Sequence, residues 1–118
     1  MTKQDFLSMK TEQVYTGLLP FILADRAQGE ALIDELCESE KYKNDSEFRL
    51  NVETARAILL FIEDRHQEVI ERSVKLIEVL EAMQYTYLLT SNLYTLANSY
   101  SLTGRYEHAI ELYFKLID

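Results

Sequence analysis

The 118-residue sequence contains few of the residues that end helices or form tight turns: three glycines and one proline. Folds made of many short strands need such residues in larger number. Long helices joined by short loops are therefore favoured. A single cysteine, Cys37, excludes an internal disulfide and a zinc site built from several cysteines. This cysteine usage is typical of a cytoplasmic protein.

Clusters of basic residues are also missing. Twenty acidic residues stand against twelve basic ones, which gives the chain a net charge of −8. Proteins bind nucleic acids by neutralising phosphates with Lys and Arg, so we expect no nucleic-acid binding by this segment. An acidic surface instead favours a basic protein or peptide as the partner.

No segment has the composition of a signal peptide or a membrane anchor. The N-terminal stretch MTKQDFLSMK carries Asp5 and lacks an apolar core. Residues 82–104 contain no charged side chain, but they include Gln84, Asn92, Asn98 and seven serines or threonines. This is too polar for a helix in lipid, so we expect no membrane association.

Motifs for catalysis or cofactor binding are absent from the sequence. His66 and His108 are the only histidines, and neither has the converging partners that a metal or acid–base site requires. We expect both to be exposed to solvent. No glycine-rich phosphate loop, GxSxG or CxxC motif occurs. The sequence thus predicts a protein that is not an enzyme and that needs no cofactor or metal.

Apolar residues recur at three- and four-residue steps, which is the period of a helix with one buried face. We predict six helices, at 4–24, 28–41, 46–63, 66–83, 86–102 and 106–117. The first is expected to be kinked near Gly17 and Pro20. The polar stretch ESEKYKNDSE (38–47) is expected to form a loop, with Asp45 or Ser46 as the N-cap of the following helix.

The segment LANSYSLTGRYEHAIELYFKLI (96–117) has the clearest pattern in the chain. Its small residues Ala97 and Ala109 stand where two antiparallel helices could approach closely, and Gly104 suits the turn between them. This pattern resembles the tetratricopeptide repeat, a helix–turn–helix unit of about 34 residues. The matching positions are Leu93, Leu96, Ala97, Tyr100, Gly104, Tyr106, Ala109, Tyr113 and Leu116. Leu93 and Ala97 replace the Trp and Gly that are common there.

Two earlier repeats, aligned on Val69 and Ala31, match this pattern more weakly. The resemblance implies an all-α, right-handed solenoid of three antiparallel hairpins in one domain, at residues 4–41, 46–83 and 86–117. The spacing between aligned positions exceeds the standard repeat and resembles repeats of bacterial signalling proteins, such as the N-terminal arms of diguanylate cyclases and transcription regulators. We therefore expect a regulatory or oligomerising segment of a longer protein. A free-standing adaptor or scaffold without a peptide ligand is the alternative.

In this repeat family, the first helix of each hairpin lines a concave groove that binds peptides or partner proteins. The resemblance implies that polar and aromatic residues at the matching positions line such a groove. These residues are Asn51, Thr54, Ser91, Tyr94, Thr95 and Asn98. The simpler interpretation, which the sequence leaves open, is that they are ordinary polar positions on packed helices.

The last predicted helix, 106–117, is apolar almost all round its circumference. One neighbouring helix can cover only part of such a surface, and exposed apolar patches usually mark an interface. We therefore expect a homodimer with two-fold symmetry. The residues predicted to mediate this self-association are Tyr106, Ile110, Phe114 and Ile117.

Overall fold

In the computed structural model, residues 1–117 are described, and within them the chain forms eight α-helices, one short 3-10 helix and no strand. The α-helices are α1 (Lys3–Ser8), α2 (Val14–Ala24), α3 (Arg26–Cys37), α4 (Glu40–Asn44), α5 (Ser46–Ile62), α6 (His66–Met83), α7 (Thr86–Leu102) and α8 (Tyr106–Ile117), and the 3-10 helix spans Thr11–Gln13. The predicted all-α class is confirmed for these residues. The arrangement of three hairpins as a solenoid stays a prediction.

The chain divides into two units, Met1–Leu59 and a second that begins at Leu60, so the division falls within α5. In the first unit, α2 packs against α3, and α1 and α4 also contact α3. At Gly29, α3 lies close to the backbone of α2, since an added Cβ atom would lie 3.0 Å from the Cα of Ile22. Glycine at this position therefore allows the two helices to cross at short distance.

In the second unit, α6 and α8 both pack against α7. Four buried apolar side chains form the core between them, and four partly buried ones close its edge. The core residues are Ile70, Ile77, Leu93 and Leu96, and the edge residues are Leu89, Tyr100, Leu112 and Leu116. Ala97 and Ala109 are also buried, as expected for small residues between α7 and α8. In the part of the chain described, no helix has both the length and the apolar character needed to cross a lipid bilayer.

The four helices α5–α8 agree with the predicted spans to within one residue at each end. The turns that follow α5, α6 and α7 share one geometry. Asp64, Gln84 and Gly104 have positive φ angles of 60°, 56° and 82°. The next amide N–H bonds back to a carbonyl five residues earlier, in the pairs Arg65–Leu60, Tyr85–Leu80 and Arg105–Tyr100, at 3.0, 3.0 and 2.8 Å. This left-handed ending satisfies helix carbonyls that would otherwise lack a partner.

The first predicted helix is divided into α1 and α2. Met9 is extended, with φ −77° and ψ 167°, so the break lies before both Gly17 and Pro20, which are inside α2. The reason is the side chain of Phe6, which is fully buried with its ring edge-on to Phe21. A Cβ atom on Gly17 would lie 3.1 Å from the Phe6 ring. Gly17 therefore makes room for Phe6 to fold back on α2.

The predicted helix 28–41 corresponds to α3, which begins two residues earlier and ends at Cys37. The predicted loop 38–47 contains a short helix, α4, which the sequence prediction missed. The Ser39 hydroxyl donates to the Leu36 carbonyl at 2.6 Å and accepts from the Tyr42 N–H at 3.2 Å. One serine thus closes α3 and caps α4. Of the two N-cap candidates for α5, Asp45 takes this role, because its Oδ1 accepts from the Phe48 N–H at 3.1 Å.

Candidate interaction surfaces

Two of the predicted groove residues, Asn51 and Thr54, belong to the first unit and are buried. Asn51 Oδ1 accepts the backbone N–H of Tyr15 at 3.1 Å, and its Nδ2 donates to the Glu47 carbonyl at 2.9 Å. The Thr54 hydroxyl donates to the Leu50 carbonyl at 2.7 Å. Neither side chain presents surface to a partner in this conformation.

Asn51 acts as a cap for another helix. Tyr15 is the second residue of α2, where the backbone N–H has no partner within its own helix. The N-cap position, Gln13, makes no side-chain hydrogen bond to α2. The Asn51 amide from α5 supplies the acceptor instead. The sequence gives no local signal for this role, because the two partners are 36 residues apart.

The other four predicted groove residues lie on α7, and their exposure differs. Thr95 is buried, and its hydroxyl donates to the Ser91 carbonyl at 2.9 Å. Threonine hydroxyls in helices commonly form this hydrogen bond to the carbonyl four residues earlier. Ser91 and Asn98 are half-buried. Tyr94 is 58% exposed. The structure thus brings Ser91, Tyr94 and Asn98 to one accessible side of α7.

This side of α7 carries a second exposed tyrosine that was not predicted. Tyr87 precedes Tyr94 by seven residues, or two helical turns, so the two share a face. Tyr113 of α8 lies beside Tyr94: its ring is edge-on to the Tyr94 ring, with the centroids 6.4 Å apart, and its hydroxyl donates to Asn98 Oδ1. We call Tyr87, Ser91, Tyr94, Asn98 and Tyr113 the tyrosine face. The seven-residue spacing could have identified Tyr87 from sequence.

Asn98 keeps hydrogen-bonding capacity on the tyrosine face. Its Oδ1 is occupied by Tyr113, whereas its side-chain nitrogen donates to none of the residues described. An amide nitrogen carries two N–H donors, which suit a peptide carbonyl. No charged residue occurs in α7. The arrangement can therefore offer aromatic contact area and neutral hydrogen bonds, which is binding chemistry rather than proton transfer.

A second accessible surface lies on α8. Tyr106, Ile110, Phe114 and Ile117, the four residues predicted to mediate self-association, are each between 53% and 78% exposed. Their spacing of four, four and three residues places them in one line along the helix. We call this line the α8 stripe. The structure thus brings together all four residues on one side of α8.

The two histidines differ from each other. His66 was expected to be exposed, and this is wrong: its side chain is only 12% exposed. Its Nδ1 is hydrogen-bonded to the buried Ser99 hydroxyl at 3.0 Å, and its ring is edge-on to Phe61. His66 therefore joins the start of α6 to α7. His108 is exposed, with its ring centroid 5.1 Å from that of Tyr100.

A polar cluster in the first unit connects α3, α4 and α5. Arg56 lies 3.0 Å from the Asp34 carboxylate and 3.4 Å from the Cys37 sulfur. The Tyr42 hydroxyl donates to the Glu53 carboxylate. Burial, together with this carboxylate, raises the pKa of Tyr42 well above its usual range. The tyrosine is therefore a fixed neutral donor at ordinary pH, which is a structural role.

Metal-binding geometry is not found in the described part of the chain, where no three His, Cys, Asp or Glu side chains are grouped closely enough to hold an ion.

Comparison with known proteins adds no relative: no family model, no curated protein and no solved structure matches this chain. The resemblance to tetratricopeptide repeats therefore rests on the residues of the chain itself.

Proposed function

We propose that this chain is a protein-interaction module that holds an extended segment of a partner protein on the tyrosine face. The observation that carries the proposal is the exposed Tyr94 ring, which is supported from the side by Tyr113 and lies next to the free N–H donors of Asn98. Tyrosine gives a large contact area at low cost in side-chain entropy, and it is enriched where proteins bind one another.

Two contacts define the mode of binding. Apolar or aromatic side chains of the partner pack on Tyr94 and, two helical turns away, on Tyr87, and a backbone carbonyl of the partner accepts from Asn98 Nδ2. Asn51, Thr54 and Thr95 are left out of the proposal because they are buried. The partner is expected to be basic, because the chain has a net charge of −8 and the tyrosine face itself carries no charge that would repel it.

The proposed architecture is a tetratricopeptide-like solenoid of three hairpins, and the regular turns support it. The residues with positive φ, Asp64, Gln84 and Gly104, follow one another at intervals of 20 residues. Two helices with their turns therefore take 40 residues, which equals the offset between the aligned positions Val69 and Ala109. Both the length and the turn geometry repeat, although only Gly104 has the residue type that the family prefers there.

A repeat of this kind fits a regulatory segment of a signalling protein, in which the module brings a partner to an output domain. This biological setting, including a cytoplasmic location, is part of the proposal. The alternative is a scaffold that binds no extended peptide on the tyrosine face. Direct binding measurements separate the two.

The test is an array of extended peptides, 8 to about 15 residues long, that vary in charge and aromatic content. We expect basic peptides with an aromatic or branched residue to be retained. Tyr94→Ala and Asn98→Ala should each weaken a retained peptide at least about ten-fold and leave the melting temperature nearly unchanged. Leu23→Ala on α2, another exposed apolar position, is the matched control and should bind normally.

Two results would contradict the proposal. The first is an array from which no peptide is retained, which would favour the scaffold. The second is a retained peptide whose affinity is the same for the Tyr94→Ala and Asn98→Ala variants as for the unmutated chain. A variant that melts early and binds normally would show that the residue is structural.

A further inference from the structure

Helix α8 has two apolar sides, and only one of them is packed. Ala109 is buried, and Leu112 and Leu116 lie against the core of the second unit. The α8 stripe occupies the adjoining side, and no other described element of the second unit covers it, since its four side chains are exposed. The polar side is narrow and includes Glu107 and Glu111. A surface helix whose apolar residues are all packed against its own protein normally has a much wider polar side.

The exposed area of the stripe equals the largest apolar patch of an ordinary monomer. Two aromatic and two aliphatic side chains exposed to this degree present roughly 500 Å² of mostly apolar surface. The largest apolar patch on an ordinary monomer is about 300–600 Å², and patches of that size commonly mark interaction sites. The stripe contains no charged residue, so its exposed apolar surface is not interrupted by charge.

We propose that a second copy of this chain covers the stripe, with the two α8 helices antiparallel about a two-fold axis. The residue order carries this assignment. Along the helix the stripe reads Tyr106, Ile110, Phe114, Ile117, so aromatic and aliphatic side chains alternate. Antiparallel pairing places Tyr106 opposite Ile117 of the second copy and Ile110 opposite Phe114. Every bulky ring thereby faces a smaller side chain, and the surface is complementary to itself.

The area that two stripes would bury indicates the size class of the interface. Two stripes in contact bury roughly 1,000 Å² in total, which is at the lower limit for specific protein interfaces. Interfaces at this limit are commonly weak and transient, so we expect a reversible dimer. This inference goes beyond the binding proposed for the tyrosine face and does not depend on it, because it uses a different set of side chains.

Sedimentation of the full chain from about 1 to 500 μM tests the dimer. We expect the unmutated chain to pass from monomer to dimer within this range. Phe114→Glu and Ile110→Glu should each stay monomeric, because a carboxylate would have to be buried in the interface. Both positions are exposed in the single chain, so the variants should keep their helical circular dichroism. Leu23→Glu is the matched control and should dimerise normally.

Disulfide trapping tests the antiparallel register. In a Cys37→Ala background, Ile110→Cys and Phe114→Cys chains are prepared separately, then mixed and oxidised. We expect the mixture to give mainly disulfide-linked heterodimers, and either chain alone to give far fewer linked pairs. A monomer at all concentrations, or a dimer unaffected by Phe114→Glu, would overturn the proposal. Preferential linkage of position 110 to itself would overturn the antiparallel arrangement.

Discussion

Asn51 illustrates how one residue type fits two roles. From the sequence alone, Asn51 is a polar residue of α5 that the resemblance to tetratricopeptide repeats predicted to bind a partner. In the structure it accepts the Tyr15 N–H and donates to Glu47, and both atoms of its amide are therefore used within the first unit. A buried amide with both ends bonded also fixes where α2 starts relative to α5.

We expect Asn51→Ala to lower the free energy of unfolding by about 1–3 kcal/mol, because it removes the buried acceptor that Asn51 Oδ1 provides for the Tyr15 N–H. Urea unfolding followed by circular dichroism measures the change. Asn44→Ala, at an exposed position of α4, is the matched control and should change the stability by less than about 0.5 kcal/mol. Equal effects at the two positions would contradict the capping role.

Local sequence determines some residue roles and not others. Asp45 could be predicted as an N-cap because the cap and its N–H partner at Phe48 are three residues apart. The role of Asn51, and the burial of His66 against Ser99, depend on partners more than thirty residues away. No periodic pattern records such a partner. The exposure of Tyr94 and of the α8 stripe was predictable because both follow from the spacing of residues on one helix.

At the scale of elements, α5–α8 were predicted well, whereas the end of α3 was placed four residues too late and the short helices α1 and α4 were not recognised. Helices α5–α8 each contain at least three turns, so the period of their apolar residues is visible. Helices α1 and α4 have six and five residues, too few to show a period. The break at Met9 depends on the contact of Phe6 with α2, which is tertiary.

The shared geometry of the three turns predicts that Gln84→Gly stabilises the chain and that Gly104→Ala destabilises it. Gln84 holds a left-handed conformation that costs a non-glycine residue about 1 kcal/mol, so Gln84→Gly should raise the free energy of unfolding by about 0.5–1 kcal/mol. Gly104→Ala should lower it by about 1 kcal/mol. No atom lies within 4 Å of the added Cβ at Gly104, so the loss is conformational rather than steric. Thermal and urea unfolding of the two variants measure both changes, and a stabilised Gly104→Ala chain would contradict the shared turn geometry.

At the scale of the whole molecule, the net charge of −8 strengthens one proposed interaction and weakens the other. A basic peptide is attracted to the chain, and salt screens that attraction. Two copies of the chain repel each other, and salt screens that repulsion. The screening length falls from about 10 Å at 0.1 M to about 3 Å at 1 M, so the effect is large enough to measure at ordinary salt concentrations.

We therefore expect the two dissociation constants to move apart when NaCl is raised from about 0.05 to 0.5 M. The constant for a basic peptide, measured by fluorescence anisotropy, should rise, and the constant for the dimer, measured by sedimentation, should fall. Glu107 and Glu111 directly follow stripe residues in the sequence, so the Glu107→Gln/Glu111→Gln variant should dimerise more tightly and respond less to salt. A dimer that weakens with salt would mean that ion pairs, rather than the apolar stripe, hold the two copies together, because burial of apolar surface is not weakened by screening.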